Sequence, residues 1–225
     1  MGYDMYWEHV PDEIVAATIA AHDQALAANK RADEQVAEVK ERKPDAVGPM
    51  PFGLPQPDGQ EPDPELVAIE RERWKAWEAM DEAERSYFRL NIWGMGLCRE
   101  IMADHGMLAF EQPPDADFSS VPSMPQPEEE HFDDEMEPLT DEARAFLEAT
   151  EAVRAATSPE PGIPVWKLGS NDAWLVTPEE IHAALGKAPE SVTALEDGEQ
   201  VTVAWWPKWL RFLREAAGHG GFRVR

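Results

Sequence analysis

From Ile163 to Arg225 the apolar positions fall into two alternating periods, two residues and then three to four, and the switches between them carry turn and cap chemistry. Ile163-Pro164-Val165-Trp166-Lys167-Leu168 and Ala173-Trp174-Leu175-Val176 are short β-branched and aromatic runs on either side of Gly169-Ser170-Asn171-Asp172, which predicts a hairpin. Thr177-Pro178-Glu179-Glu180 then joins a capping hydroxyl, a proline suited to the first helical position and a glutamate placed to reach back to the cap. A short helix follows with Ile181, Ala184 and Leu185 inward and Gly186 as its stop. Val192 to Leu195 and Gln200 to Trp206 flank Glu196-Asp197-Gly198-Glu199, a second hairpin in which Val201, Val203 and Trp205 alternate with Gln200, Thr202 and Ala204. Pro207 opens another helix with Trp209, Phe212, Leu213 and Ala216 on one face, Gly218 ends it, and Phe222 and Val224 alternate with Arg223 and Arg225 as a last strand. The expected order over 163–225 is ββαββαβ.

Upstream the pattern is helical. Pro11-Asp12-Glu13 starts a run to Lys43 without glycine or proline, whose first half offers Ile14, Val15, Ile19 and Leu26 for packing and whose second half, with only Val36 and Val39, is expected to project. Asp63-Pro64-Glu65 begins a helix with Leu66, Ile69, Trp77 and Met80 at helical spacing, and Asp81-Glu82-Ala83-Glu84 reads as the cap of a further one. Tyr87, Phe88, Leu90, Ile92, Trp93, Met95, Leu97, Ile101 and Met102 make that further helix apolar nearly all round, a buried centre in which Gly94 and Gly96 suit a close neighbour. A last helix is expected from Leu139-Thr140-Asp141-Glu142 to Ser158-Pro159.

Between these runs the composition changes. Residues 44–62 are rich in proline and glycine and read as a stiff linker, and residues 111–138 hold ten acids, six prolines and no lysine or arginine, which reads as a disordered acidic linker. The fold class is therefore α+β. It has segments 1–43 (helical), 44–62 (proline-rich linker), 63–110 (helical hairpin core), 111–138 (acidic linker), 139–162 (connecting helix) and 163–225 (small α+β module).

The net charge of -25 sets the class of partner: it repels nucleic acid and anionic membranes and favours a basic protein. The lone cysteine, Cys98, has no internal partner, no stretch is long and apolar enough to span a bilayer, and the first residues lack a cationic leader, so a cytoplasmic location is expected. The oligomeric state stays open.

No motif names a reaction. GxGxxG, the phosphate-cradling GxxxxGK[ST], HExxH, GxSxG and CxxC are all absent, and neither a cofactor nor a metal is expected. His219-Gly220-Gly221 resembles an esterase oxyanion loop by letters alone and serves better as a helix stop. Glu128-Glu129-Glu130-His131 with Asp133, Asp134 and Glu135 holds hard-cation ligands but matches no known loop spacing, and reads better as a solvated charge run.

One local contrast remains. Lys208, Arg211, Arg214, Arg223 and Arg225 stand against one acid, Glu215, near the end of an acidic chain. Most of Trp166, Trp174, Trp205, Trp206 and Trp209 are expected to pack in the core, while Trp206, or else one hairpin tryptophan, lines a surface; with Trp206 the five bases form the candidate interaction surface. The function expected is that of a non-catalytic cytosolic interaction protein whose acidic surface recruits or blocks a basic partner. The alternative is a small-molecule binder or enzyme with a site between the helical half and the C-terminal tryptophans, near Trp93 and Gly94.

Overall fold

The structure, a computed structural model, describes residues 2–50, 61–110, 121, 138–196 and 199–225. All of 51–60 and most of 111–138 therefore lie outside the described residues, including the candidate cation ligands from Glu128 to Glu135. The fold is α+β, with a helical N-terminal half and alternating strands and helices toward the C-terminus. It comprises two compact units, Val10–Arg85 and a second that joins Met1–His9 to Ser86–Arg225.

The first unit is a helical hairpin of α1 (Asp12–Arg42) and α2 (Pro64–Ala83). Asp63 caps α2 by accepting from the Glu65 N–H, with Pro64 at the first helical position, as the cap sequence predicts. The helices run antiparallel. Thr18 Oγ1 donates to Ala83 O at one end, and Arg42 meets Glu65 at 2.6 Å at the other. Ile14, Ala25, Ala32 and Val39 are the buried residues of α1, at the spacing of one helical seam. The expectation for α1 holds only in part: the first half packs, but through Ile14 and Ala25. Val15, Ile19 and Leu26 of that half are exposed, and the second half, expected to project, also packs through Ala32 and Val39.

The second unit is built on an antiparallel sheet of β1 (Gly2–Trp7), β2 (Tyr87–Asn91), β5 (Leu175–Val176) and β8 (Phe222–Val224), in the order β2-β1-β8-β5. Tyr6 sits opposite both Arg223 and Tyr87, and Trp7 sits opposite Phe222, which in turn faces Val176. Because side chains alternate across a strand, this register puts Met5, Trp7, Leu90, Val176, Phe222 and Val224 on one face, all buried. That face lies on α6 (Trp206–Gly218), whose Trp209 and Phe212 rings meet Phe222 at 5.8 and 5.3 Å and Phe88 at 5.3 and 5.7 Å. α5 (Pro178–Leu185) adds buried Ile181 and Ala184.

Strand assignments depart from the sequence reading in several places, beginning with β1, which lies in the segment 1–43 read as helical. Tyr87–Asn91 is a strand rather than the start of a helix, because β1 supplies the ladder that its own neighbours lack; α3 (Ile92–Asp104) begins only after Asn91. The expected hairpin over 163–176 does not form. β4 (Ile163–Pro164) pairs in parallel with β3 (Leu108–Ala109), Val165–Leu168 is a 3-10 turn, and β5 pairs with β8. The β5–β8 approach explains Gly221. With φ at +99°, a Cβ there would lie 2.0 Å from Val176 O. The expected second hairpin forms as β6 (Thr193–Glu196) and β7 (Glu199–Thr202), but its second strand ends at Thr202 and Trp206 already opens α6, where a strand to Trp206 is expected; its two turn residues lie outside the described ones. α4 (Asp141–Arg154) matches the helix expected there and is capped by Thr140.

Candidate interaction surface

α6 carries four of the six residues expected at the surface. Its inner face holds Trp206, Trp209, Leu210, Phe212, Leu213 and Ala216. Trp206 is fully buried, with its indole N–H donating to Pro189 O at 3.0 Å, so it belongs to the core and not to a surface. The spacing held this signal: 206, 209, 210 and 213 are successive positions of one helical stripe. Lys208 and Arg214 are exposed on the outer side, Arg211 is half-buried, and Arg225 is exposed beyond the end of β8.

Arg223 also leaves the surface. It stands on the sheet face opposite α6, where its Nε and Nη2 donate to the two carboxylate oxygens of Glu8 at 2.6 and 2.9 Å. Nη1 donates to Ala173 O at 2.9 Å, and Nη2 lies 2.7 Å from Glu151 of α4. Only 11% of this side chain is exposed, which places Arg223 as an internal crosspiece between β8, the residue after β1 and α4. Its hydrogen bonds hold the Glu8 carboxyl below the usual carboxylate range, and the same carboxylate raises the guanidinium.

The same sheet face continues as a polar network. Tyr87 donates to Asp4 at 2.5 Å, Arg89 lies 3.5 Å from the same carboxylate, and the Tyr6 and Tyr87 rings are 5.0 Å apart. Burial first, and the bond to Asp4 second, push the Tyr87 phenol up to about 12.

Beyond β2 the chain presents an apolar pair that the sequence reading placed in a buried helix. Asn91 caps α3, its side chain accepting from Gly94 N at 2.7 Å, and this turns Ile92 and Trp93 outward. Trp93 is 86% exposed and Ile92 is 48% exposed. The cap also accounts for Gly94. A Cβ there would come within 3.2 Å of Asn91 Oδ1 and 3.3 Å of Leu90, while Gly96 has open space, so no second helix explains either glycine. Met95, Cys98, Ile101 and Met102 form the buried side of α3, and burial pushes the Cys98 thiol above its ordinary pKa.

The same unit holds a buried ion pair that composition could not reveal. Lys167 Nζ donates to both Glu180 oxygens at 2.9 Å and to Leu175 O. Glu180 is also the capping-box residue of α5, accepting from Thr177 N at 2.9 Å. Burial lowers the Lys167 pKa despite the carboxylate, because desolvation outweighs the attraction.

A cleft of about 470 Å³ lies beside this pair, between residues 157–162 and the first turn of α5. A second, of about 270 Å³, lies between α1 and α2 near Arg31, Gln35 and Arg73. Neither of these two is lined by Trp93, Gly94 or a C-terminal tryptophan, as the alternative reading expects. His219 stacks on Trp7 at 4.5 Å, and Gly220 and Gly221 take positive φ as the chain turns into β8, which is the helix-stop role. Among the described residues no group of three or more His, Cys, Asp or Glu could hold a metal ion, and no helix is long and apolar enough to cross a membrane. No family model, curated protein or solved structure matches the chain.

Proposed function

We propose that the chain is a non-catalytic interaction protein of the cytosol, whose acidic surface draws a basic protein partner and whose Trp93 and Ile92 seat it. The observation that carries this is Trp93, an indole held 86% exposed on a capped helix. A rigid aromatic needs little ordering on binding and loses a large hydrated area, which is why tryptophan dominates the energetics of protein interfaces. The net charge of -25 complements it, since long-range attraction raises encounter rates with cationic surfaces and desolvation of the indole lengthens the residence.

The test is capture from the native cytosol at low and high salt, with the wild-type chain and Trp93→Ala side by side. The expected result is a basic protein retained at low salt, released by salt, and bound about 30-fold more weakly by Trp93→Ala, the factor for a hot-spot loss of roughly 2 kcal/mol. Capture that ignores both salt and Trp93, or no basic protein at all, overturns the proposal.

A further inference from the structure

β2 is an outer strand of the sheet, with β1 on one side only. The hydrogen bond from Trp7 N to Ser86 O at 3.1 Å sets the alternation of the ladder, so Ser86, Phe88 and Leu90 turn their backbone groups to β1. Tyr87 and Arg89 turn theirs outward. Among the described residues no backbone group meets these outward N–H and C=O groups. Such a row is a template for a further strand, and natural sheets often blunt it with charge. Arg89 is the one charged residue on this strand.

We infer that the outer edge of β2 takes an extended segment of a protein partner as a fifth strand, and that this segment carries an acidic residue flanked by two apolar ones. This rests on the interaction reading and names its docking mode. The residue opposite Arg89 would share a face with its guanidinium, which is 61% exposed, and with Asp4, which already accepts from Tyr87. A carboxylate fits there and a lysine or arginine is repelled. The flanking positions lie over Phe88 and Leu90. Phe88 is only half-buried although its ring meets Trp209 and Phe212, so apolar side chains beside it would extend the core.

A second copy of the chain suits this edge less well. Full antiparallel overlap of Tyr87–Asn91 with itself would set Arg89 directly against Arg89, a destabilising like-charge pair. The edge also runs straight into Ile92 and Trp93, so a partner strand bound there lies next to the exposed apolar pair. Main-chain bonds would supply the register and alternate side chains the specificity, as in other strand additions.

The experiment is selection of a displayed library of short extended segments on the full chain, followed by binding of the enriched sequences as synthetic peptides. Enrichment of the apolar–acid–apolar pattern is expected, together with slowed amide exchange at Tyr87 and Arg89 in the complex. Replacing the peptide acid with lysine should weaken binding about fivefold, and Arg89→Glu should invert that preference, as expected for a directly opposed charge pair. Backbone N-methylation of the peptide residue facing Arg89 should abolish binding whatever the side chains. A library that enriches nothing, peptides indifferent to N-methylation, or a dimer in sedimentation that shields β2 each overturn the inference. Salt-sensitive, Trp93-dependent capture that persists alongside such a result leaves the interaction reading standing and removes only the edge.

Discussion

Lys167 and Glu180 form a salt bridge with the lysine side chain wholly buried and the glutamate 6% exposed, and the same glutamate closes the cap of α5. Removing one partner leaves an uncompensated buried charge, whereas removing both leaves none. Lys167→Met is therefore expected to cost about 3–5 kcal/mol in urea unfolding. The double variant Lys167→Met with Glu180→Gln should recover part of that loss, since the amide still accepts from Thr177 N. Equal costs for the single and double variants would mean that the charge itself is immaterial.

Glu8 gives the acid limb of stability a specific source. Its folded pKa lies below its unfolded value near 4.3, because Arg223 donates to it, so the folded state binds fewer protons in that window. The stabilisation is present above the unfolded pKa and is lost as pH falls through the folded one. Glu8→Gln should be less stable than wild type at neutral pH, and the gap should close as pH falls below about 4. A constant gap across the titration would assign the effect to packing.

Tyr87 behaves in the opposite sense at the alkaline end. Its folded pKa near 12 exceeds the ordinary value of 10.0, so the folded state keeps a proton that the unfolded state gives up. Its contribution is complete below pH 10 and is lost as pH rises toward 12. Ultraviolet difference titration should resolve a late-titrating phenol among the three tyrosines, absent in Tyr87→Phe.

A fragment spanning residues 160–225 is expected to remain largely unfolded, although its helix caps and hairpin are locally complete. β8 has β1 on one side, and the Met5, Trp7, Phe88 and Leu90 side chains that share its buried face come from outside that fragment. Two-state unfolding of the fragment with native-like near-ultraviolet circular dichroism would contradict this.

Local chemistry was legible and non-local pairing was not. Thr177 and Glu180 form the capping box that their spacing announces, Asp63 caps α2, and Thr193–Glu196 pairs with Glu199–Thr202. Each of these is decided within a few residues of chain. Tyr87–Asn91 reads as helix because its apolar residues run on into α3, and its strand state depends on β1, far away in sequence. β1 itself carries a strand signal, since Tyr3, Met5 and Trp7 alternate with Asp4, Tyr6 and Glu8, but six residues without a nearby hairpin partner give no hint of what they pair with. For the candidate surface, charge marked Lys208, Arg211, Arg214 and Arg225, but it could not tell Arg223, which turns inward, from its neighbours. Trp93 was hidden for a similar reason: only the Asn91 cap, by starting α3 where it does, turns it outward.

The pairing of Met5 with Val224 joins positions separated by nearly the whole chain. Its consequence is one of timing. Along the chain β1 is made long before β8, so Met5 and Trp7 wait without their strand partners until Phe222 and Val224 have been added. The helical hairpin can fold early from contacts close in sequence, while the sheet closes last and pays the full loop-closure entropy. Between completion of the hairpin at Ala83 and of β8 at Val224 the sheet stays unfinished, and this interval, rather than the stability of the finished protein, is where aggregation would claim it.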